Sequence, residues 1–238
     1  MGTVWGIGKL LPNIWGVLVS SKPTAIVYID GLNMYHQKLR YHPQAKWLNL
    51  LSLAEMLVPT HEIKLVRYFT AEVLPGVTDQ HAPKRQKEYW RALETLGDRI
   101  TIHLGRMEAR NRHYLAVPRA YDETGKPIRS KVKKTEEKGS DVSLAAHMVF
   151  DAATREADLF VLVSTDSDFE PAIRIVQERL GLPVGFISPH DKPSDTILEC
   201  KPLFTKILRR AALEACTFPD VMQDSRGLIT KPESWSLK

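Results

Sequence analysis

An α/β fold on a mostly parallel sheet is what this sequence predicts, and three observations carry it. Ala25-Ile26-Val27-Tyr28-Ile29 and Leu159-Phe160-Val161-Leu162-Val163 are short, continuous apolar runs, the pattern of strands buried on both faces. Each run leads into an aspartate turn, Asp30-Gly31 in one case and Asp166-Ser167-Asp168 in the other. Stretches with helical apolar spacing alternate with further apolar runs, as expected when helices cover both faces of a parallel sheet.

The elements follow in order. The strand ending at Ile29 is succeeded by a helical stretch, and a second helix lies near Leu50 to Leu57, stopped by Pro59. Ile63 to Val73 reads as a strand. Gln80 to Leu96, rich in Lys, Arg and Glu, reads as a helix closed by Gly97, and Ile100 to Leu104 as the next strand. Arg106 to Lys138 is polar and basic and contains Pro118, Gly125 and Pro127. It is expected to hold a strand or hairpin around Tyr114 to Val117 and then a mobile loop. Helical spacing returns from Ser140 to Ala153. The Leu159–Val163 strand precedes a helix from about Phe169 to Leu180, a strand from Val184 to Ile187, and a last helix from about Thr196 to Ala215. The tail after Pro219 reads as irregular. These boundaries divide the chain into an arm over residues 1–23, one domain over 24–209 and a tail over 210–238.

With 238 residues, 43% hydrophobic and 26% charged, the chain can bury a proper core. Only Cys200 and Cys216 occur, too few for a disulfide framework, so a reducing, cytoplasmic setting is expected. The apolar pieces Val4 to Ile7 and Ile14 to Val19 are interrupted by Lys9 and Pro12. They are too short for a membrane span and lack the basic start and cleavage site of a signal peptide. The net charge of +5 permits an anionic partner.

In parallel sheets ligands sit beyond the carboxyl ends of the strands. Asp30, Asp166 and Asp168 follow two such ends, and Asp141 opens the helix after the basic segment, so one sheet edge can gather all four. Two carboxylates 4 Å apart repel by roughly 1 kcal/mol in water and about 4 kcal/mol at an effective dielectric of 20. A cluster therefore calls for a cation or for raised pKa values. All-oxygen, anionic donors suit Mg²⁺ or Mn²⁺, and no Cys/His spacing suggests zinc. Singly, each residue has an ordinary role: Asp30-Gly31 as a strand-ending turn, Asn33 or Asp168 as a helix cap, Asp141 in a helix first turn.

Three segments together resemble the signatures of NYN domains, which belong to the PIN-like nuclease superfamily: Tyr28-Ile29-Asp30-Gly31-Leu32-Asn33, Glu137-Lys138-Gly139-Ser140-Asp141-Val142-Ser143-Leu144-Ala145, and Ser164-Thr165-Asp166-Ser167-Asp168-Phe169. The resemblance runs from about Thr24 to Arg209. It implies a PIN-like three-layer α/β/α sandwich, Mg²⁺ or Mn²⁺ held by Asp30, Asp141, Asp166 and Asp168, a helper role for Asn33, and cleavage of single-stranded RNA. Many members carry a further Asp where His147 stands, a departure that bears on cleavage. The segments Ile173 to Pro189, Pro219-Asp220 and Lys231 to Trp235 look like a bacterial branch in which His is usual there. One protein of that branch is described as an NADH-dependent hydroxylase of a succinoylpyridine in nicotine breakdown. An alternative is thus a monooxygenase with NADH and a small anionic pyridine, for which Trp47, Tyr68, Tyr89 and Trp90 are available as an aromatic pocket. No Gly-x-Gly-x-x-Gly turn or evident two-His-one-carboxylate iron site supports it, although His36, His103, His113 and His147 are at hand. A third reading is a degenerate module that holds RNA or a protein.

Between Lys84 and Lys134 fourteen Lys or Arg face six Asp or Glu, a net of +8. Arg110, Arg112, Lys131, Lys133, Lys134 and Lys138 are the candidate substrate-binding cations, and Tyr114 and Tyr121 could stack on bases. A solvated helix face and loop would have the same composition. The expected partners are RNA or the small pyridine, with a homodimer allowed and no membrane.

Overall fold

Strand β1 (Thr24–Asp30) alternates two apolar sets, and this alternation organises the molecule. Ala25, Val27 and Ile29 belong to one buried cluster, and Ile26 and Tyr28 to another on the opposite side. A strand buried on both faces must lie inside a sheet covered on both sides. The computed structural model, which describes residues 22–75, 79–115 and 117–236, has this arrangement. The apolar pieces noted between Val4 and Val19 lie outside the described residues. No helix among the described residues is long and apolar enough to cross a membrane.

After β1 come α1 (Gly31–Gln37), α2 (Leu50–Leu57), β2 (Glu62–Ala71), α3 (Ala82–Glu94), β3 (Ile100–Leu115) and β4 (Arg129–Lys138). Then follow α4 (Ser140–Ala153), β5 (Leu159–Val163), α5 (Glu170–Arg174) with a π-helical continuation to Arg179, and β6 (Val184–Ser188). The chain ends with α6 (Asp195–Glu199), β7 (Phe204–Ile207), α7 (Arg210–Ala215), β8 (Val221–Asp224) and β9 (Gly227–Thr230). The seven-stranded sheet has the order β4-β3-β2-β1-β5-β6-β7 and is parallel except for β4. Residues of α2, α3 and α7 enter the cluster on one face, and those of α4, α5 and α6 the cluster on the other. The result is the expected PIN-like α/β/α sandwich.

The chain runs from β1 outward to β2 and β3, then returns to β5 on the other side of β1. The order therefore reverses between β1 and β5. In open α/β sheets the crevice at the carboxyl ends of the strands flanking such a switch point is where ligands bind.

Three sequence-derived elements need correction. The basic segment is not a mobile loop after a short hairpin. Strand β3 pairs with β2 only as far as Ala71↔Gly105, then continues as one arm of a long hairpin whose other arm is β4, in register from Arg106↔Lys138 to Leu115↔Arg129. Charged residues occupy both faces of this hairpin, so its alternation carries no apolar signal. The stretch from Thr196 to Ala215 is not one helix. It leaves α6 at Lys201 (φ 54°) and Pro202, forms β7 as the edge strand, and resumes as α7. The tail is not irregular. Strands β8 and β9 form an antiparallel hairpin, and Ile229 is buried in the same cluster as Val27.

A buried polar knot ties the two sides of the α4 face together. Asp151 of α4, 1% exposed, accepts from Tyr28 Oη at 2.6 Å and from Arg67 Nε and Nη2 at 2.6 and 2.8 Å. Arg67 thus grips both carboxylate oxygens, and α4 is bolted to β1 and β2 at once. Burial, followed by the Asp151 carboxylate, raises the Tyr28 phenol well above its ordinary range.

Candidate active site

Asp30 ends β1 on the face that α4 covers, and it is 6% exposed. Its Oδ1 accepts from the backbone N–H of Asn33 at 3.0 Å, capping α1, and its Oδ2 accepts from Ser164 Oγ at 2.9 Å. Ser164 is itself buried at the end of β5 and accepts from the N–H of Asp166 at 3.1 Å. A second lacing runs beside the first: Asn33 Nδ2 donates to Thr165 Oγ1 at 2.9 Å, and Asn33 Oδ1 accepts from Thr165 N–H at 3.1 Å. The turns after β1 and β5, on either side of the switch point, are therefore held as one unit. The close approach has a requirement at Gly31, where an added Cβ would come within 2.4 Å of the Tyr68 ring.

The four predicted aspartates are brought to this edge. Burial pushes the Asp30 carboxyl up to about 6; the hydrogen bonds from Asn33 and Ser164 oppose this, and the charges of Asp141 and Asp166 add to it. Asp141, in the first turn of α4, is raised by desolvation and then by Glu137, Asp166 and Asp168. Asp166 Oδ1 accepts from Asp168 N–H at 3.0 Å, so the caps are Asp30 and Asp166 rather than Asn33 and Asp168. Among the described residues no three His, Cys, Asp or Glu side chains stand as a group able to hold a metal. The donor set nevertheless fits Mg²⁺ or Mn²⁺, because Mg²⁺ is commonly held by one or two carboxylates with water and substrate oxygens completing its shell.

Glu137 is the acid that sequence reasoning left without a role. Its Oε1 accepts from Ser140 N–H at 2.9 Å, capping α4 beside Asp141. Its side chain crosses Gly105 of β3, where an added Cβ would lie 1.9 Å from Oε1. Two signals were available: an acid three residues before a helix's first turn, and a lone glycine inside a strand. Ser164 and Thr165 were also missed, although both sit within a quoted motif.

The six candidate cations divide between the two faces of the hairpin. Lys131 and Lys133 alternate onto the face that carries Glu137, and neither has an ion-pair partner among the described residues. Arg110, Arg112, Lys134 and Lys138 take the other face. There Arg110 pairs with Glu108 at 2.6 Å and Lys134 with Glu136 at 2.7 Å, while Arg112 and Lys138 approach Glu136 at 3.7 and 3.8 Å.

The sequence profile of the NYN domain matches residues 24–208. This chain belongs to the NYN domain family. Its family is of the PIN-like nuclease type. The chain is similar to 6-hydroxy-3-succinoylpyridine 3-monooxygenase HspA of Pseudomonas putida (strain DSM 28022 / S16), at 28% identity over 239 residues, 88% of this chain and 74% of that protein. Its fold is similar to that of a protein of unknown function, VPA0982 from Vibrio parahaemolyticus RIMD 2210633. That match has a TM-score of 0.50 and 15% identity, and covers 80% of this chain and 96% of the other.

His147, at the position where many NYN domains carry an acid, packs against His103 with ring centroids 4.3 Å apart, and His103 stacks on Phe69 at 4.6 Å. Of the four histidines weighed for iron, these two come together, with no metal-holding third donor among the described residues. Burial, then His147 and Arg67, push His103 down to about 4 from 6.5. A depressed histidine binds fewer protons when folded, so stability is lost as the pH falls from 6.5 towards 4. Urea denaturation across that window is expected to show this fall, and His103→Gln to flatten it. The raised Asp30 acts with the opposite sign, so the decisive quantity is the wild-type-minus-variant difference. An identical profile in the variant would remove His103 as the cause.

Proposed function

We propose that this NYN domain hydrolyses phosphodiester bonds of single-stranded RNA, with Mg²⁺ or Mn²⁺ bound where Asp30, Asp141, Asp166 and Asp168 gather, one or two of these carboxylates as direct ligands and the others acting through bound water. The observation that carries the reading is the Asp30 carboxylate, buried at the switch point and laced through Ser164 to the turn that carries Asp166, with the charges of Asp141 and Asp166 adding to the effect of its burial. A carboxyl raised to about 6 in the metal-free chain is one that a cation would relieve. When bound, the ion supplies neutralisation of phosphoryl charge and acidification of a water. The protein's own part is orientation. Ser164 and the Asn33 N–H fix both Asp30 oxygens, and the Asn33–Thr165 pair keeps the Asp166 turn in register with it. Asn33 is thereby a positioning residue. Glu137 caps α4, setting the height of Asp141.

Lys131 and Lys133 lie two residues apart, about 7 Å along a strand, and lead away from Glu137 on one face. This track suits successive phosphates of an extended strand. With Mn²⁺ and labelled single-stranded RNA, wild-type protein is expected to cleave. Lys131→Ala/Lys133→Ala is expected to raise KM roughly tenfold with kcat little changed, and to reduce the salt dependence of binding by about two ions. No cleavage of any RNA would sink the nuclease reading, and tight binding without turnover would assign a holding role.

A second reading rests on the relative named as a succinoylpyridine monooxygenase: hydroxylation of an anionic pyridine with NADH. NADH oxidation that depends on added hydroxypyridine would establish it, and its absence would dismiss it.

A further inference from the structure

A cavity of about 140 Å³ opens on the other side of the β1 turn from the acids, between α1, the end of β2 and α3. Gly31, Tyr35, Tyr68, Tyr89 and Trp235 are among the residues that line it. The aromatic wall is braced: Tyr89 Oη donates to Leu48 O at 2.8 Å, and Trp235 packs on Tyr89 and Trp47 with centroids 6.2 Å from each. Of the four aromatics that the sequence offered for a ring site, Tyr68 and Tyr89 line the cavity; Trp47 and Trp90 pack in the core instead. Trp235 lies beyond the 24–208 match, so the cavity is completed by a segment outside the shared domain.

Its polar groups are unequal in their needs. Gln86 already has a partner at each end, its Nε2 donating to Ala71 O and its Oε1 accepting from Val73 N–H. Arg85 pairs with Asp79 through Nη2, but its buried Nε has no partner among the described residues. Lys46 reaches only the face of Tyr35, 5.3 Å from the ring centroid, and has no ion pair among the described residues. A donor buried without an acceptor is destabilising, and a ligand acceptor there removes the cost. The volume sets the ligand's size, because an apolar cavity of ~150 Å³ takes one benzene ring. A fused purine or a flavin exceeds this volume and would protrude from it.

We propose that this cavity binds a single six-membered heteroaromatic ring, stacked among Tyr35, Tyr68 and Trp235, with an anionic or acceptor substituent received by Arg85 Nε and Lys46. Such a ring comes either from a pyrimidine nucleotide or from a free pyridine acid. The site stands whether or not the acids cleave RNA.

Calorimetric titration of the full chain with pyridine-3-carboxylate, uridine 5′-monophosphate and adenosine 5′-monophosphate tests it, without metal. At least one of the first two is expected to bind, and adenosine 5′-monophosphate is not. Arg85→Gln should weaken binding about tenfold or more, by loss of a charged hydrogen bond. Ala82→Leu, which fills the cavity, should abolish it. A thermal melt confirms that each variant is folded. Binding of the free acid alone identifies a small-molecule site, and binding of the nucleotide alone identifies a base pocket. The proposal is overturned if neither ring binds at millimolar concentration, if the purine binds equally well, or if both variants bind as the wild type does.

Discussion

Asp30→Asn is expected to lower Mn²⁺-dependent RNA cleavage by at least ~100-fold while the protein stays folded. Residues that merely orient a metal ligand typically cost ~10–100-fold when removed, and a ligand should cost more. Asn33→Ala supplies the comparison within the same site, since its amide touches Thr165 and not the acids. The variant also has a stability consequence of definite sign. Asp30 is raised from 3.8 to about 6, so its contribution is fully present below 3.8 and is lost as the pH rises through 6. Above pH 6 the metal-free native state carries an uncompensated buried charge costing about 3 kcal/mol at most. Asparagine removes that charge but forfeits part of the hydrogen bonding to Ser164. The metal-free variant should therefore melt at or above the wild-type temperature at neutral pH, and added Mn²⁺ should stabilise the wild type alone. A variant that cleaves normally would remove Asp30 from the chemistry. One that unfolds would make it a structural cap and nothing more.

The parts of this architecture legible in the sequence are those where burial leaves a pattern. β1, β5 and β6 are covered on both faces, so they read as unbroken apolar runs, and their ends delivered three of the four aspartates to one edge. The hairpin of β3 and β4 stands beyond the pairing with β2, where its residues are largely exposed, and its register comes from cross-strand pairing that composition does not record. β7 was hidden between two short helices, although Pro202 was a legible stop. In the site, carboxylates announce themselves by type. Their supports do not: Ser164, Thr165 and Glu137 matter through a few hydrogen bonds to residues distant in sequence or across a turn. The aromatic cavity was half legible, since Tyr68 and Tyr89 were available by composition, whereas Tyr35 and Trp235 are brought to it by the fold.

Asp151→Ala is expected to be the most destabilising single substitution in the α4 layer, costing about 3–5 kcal/mol in urea denaturation. The size follows from what is left behind. Arg67, with a side chain 16% exposed, would lose both its carboxylate contacts and remain as an unpaired cation under α4. The Tyr28 hydroxyl, fully buried, would lose its acceptor at the same time. Asp151→Asn keeps an acceptor for one of the two and should cost less. Removing both charges at once, with Arg67→Met/Asp151→Leu, is expected to recover much of the loss, because a buried pair offsets its own desolvation only in part. The double variant also separates stability from chemistry. Asp151 and Asp141 share α4, ten residues and nearly three turns apart, so the knot fixes the helix that carries Asp141 to the switch point. If the double variant is stable yet cleaves RNA poorly, the knot sets the register of Asp141 against Asp30. If it is stable and fully active, the β4 hairpin and Glu137 hold that register by themselves.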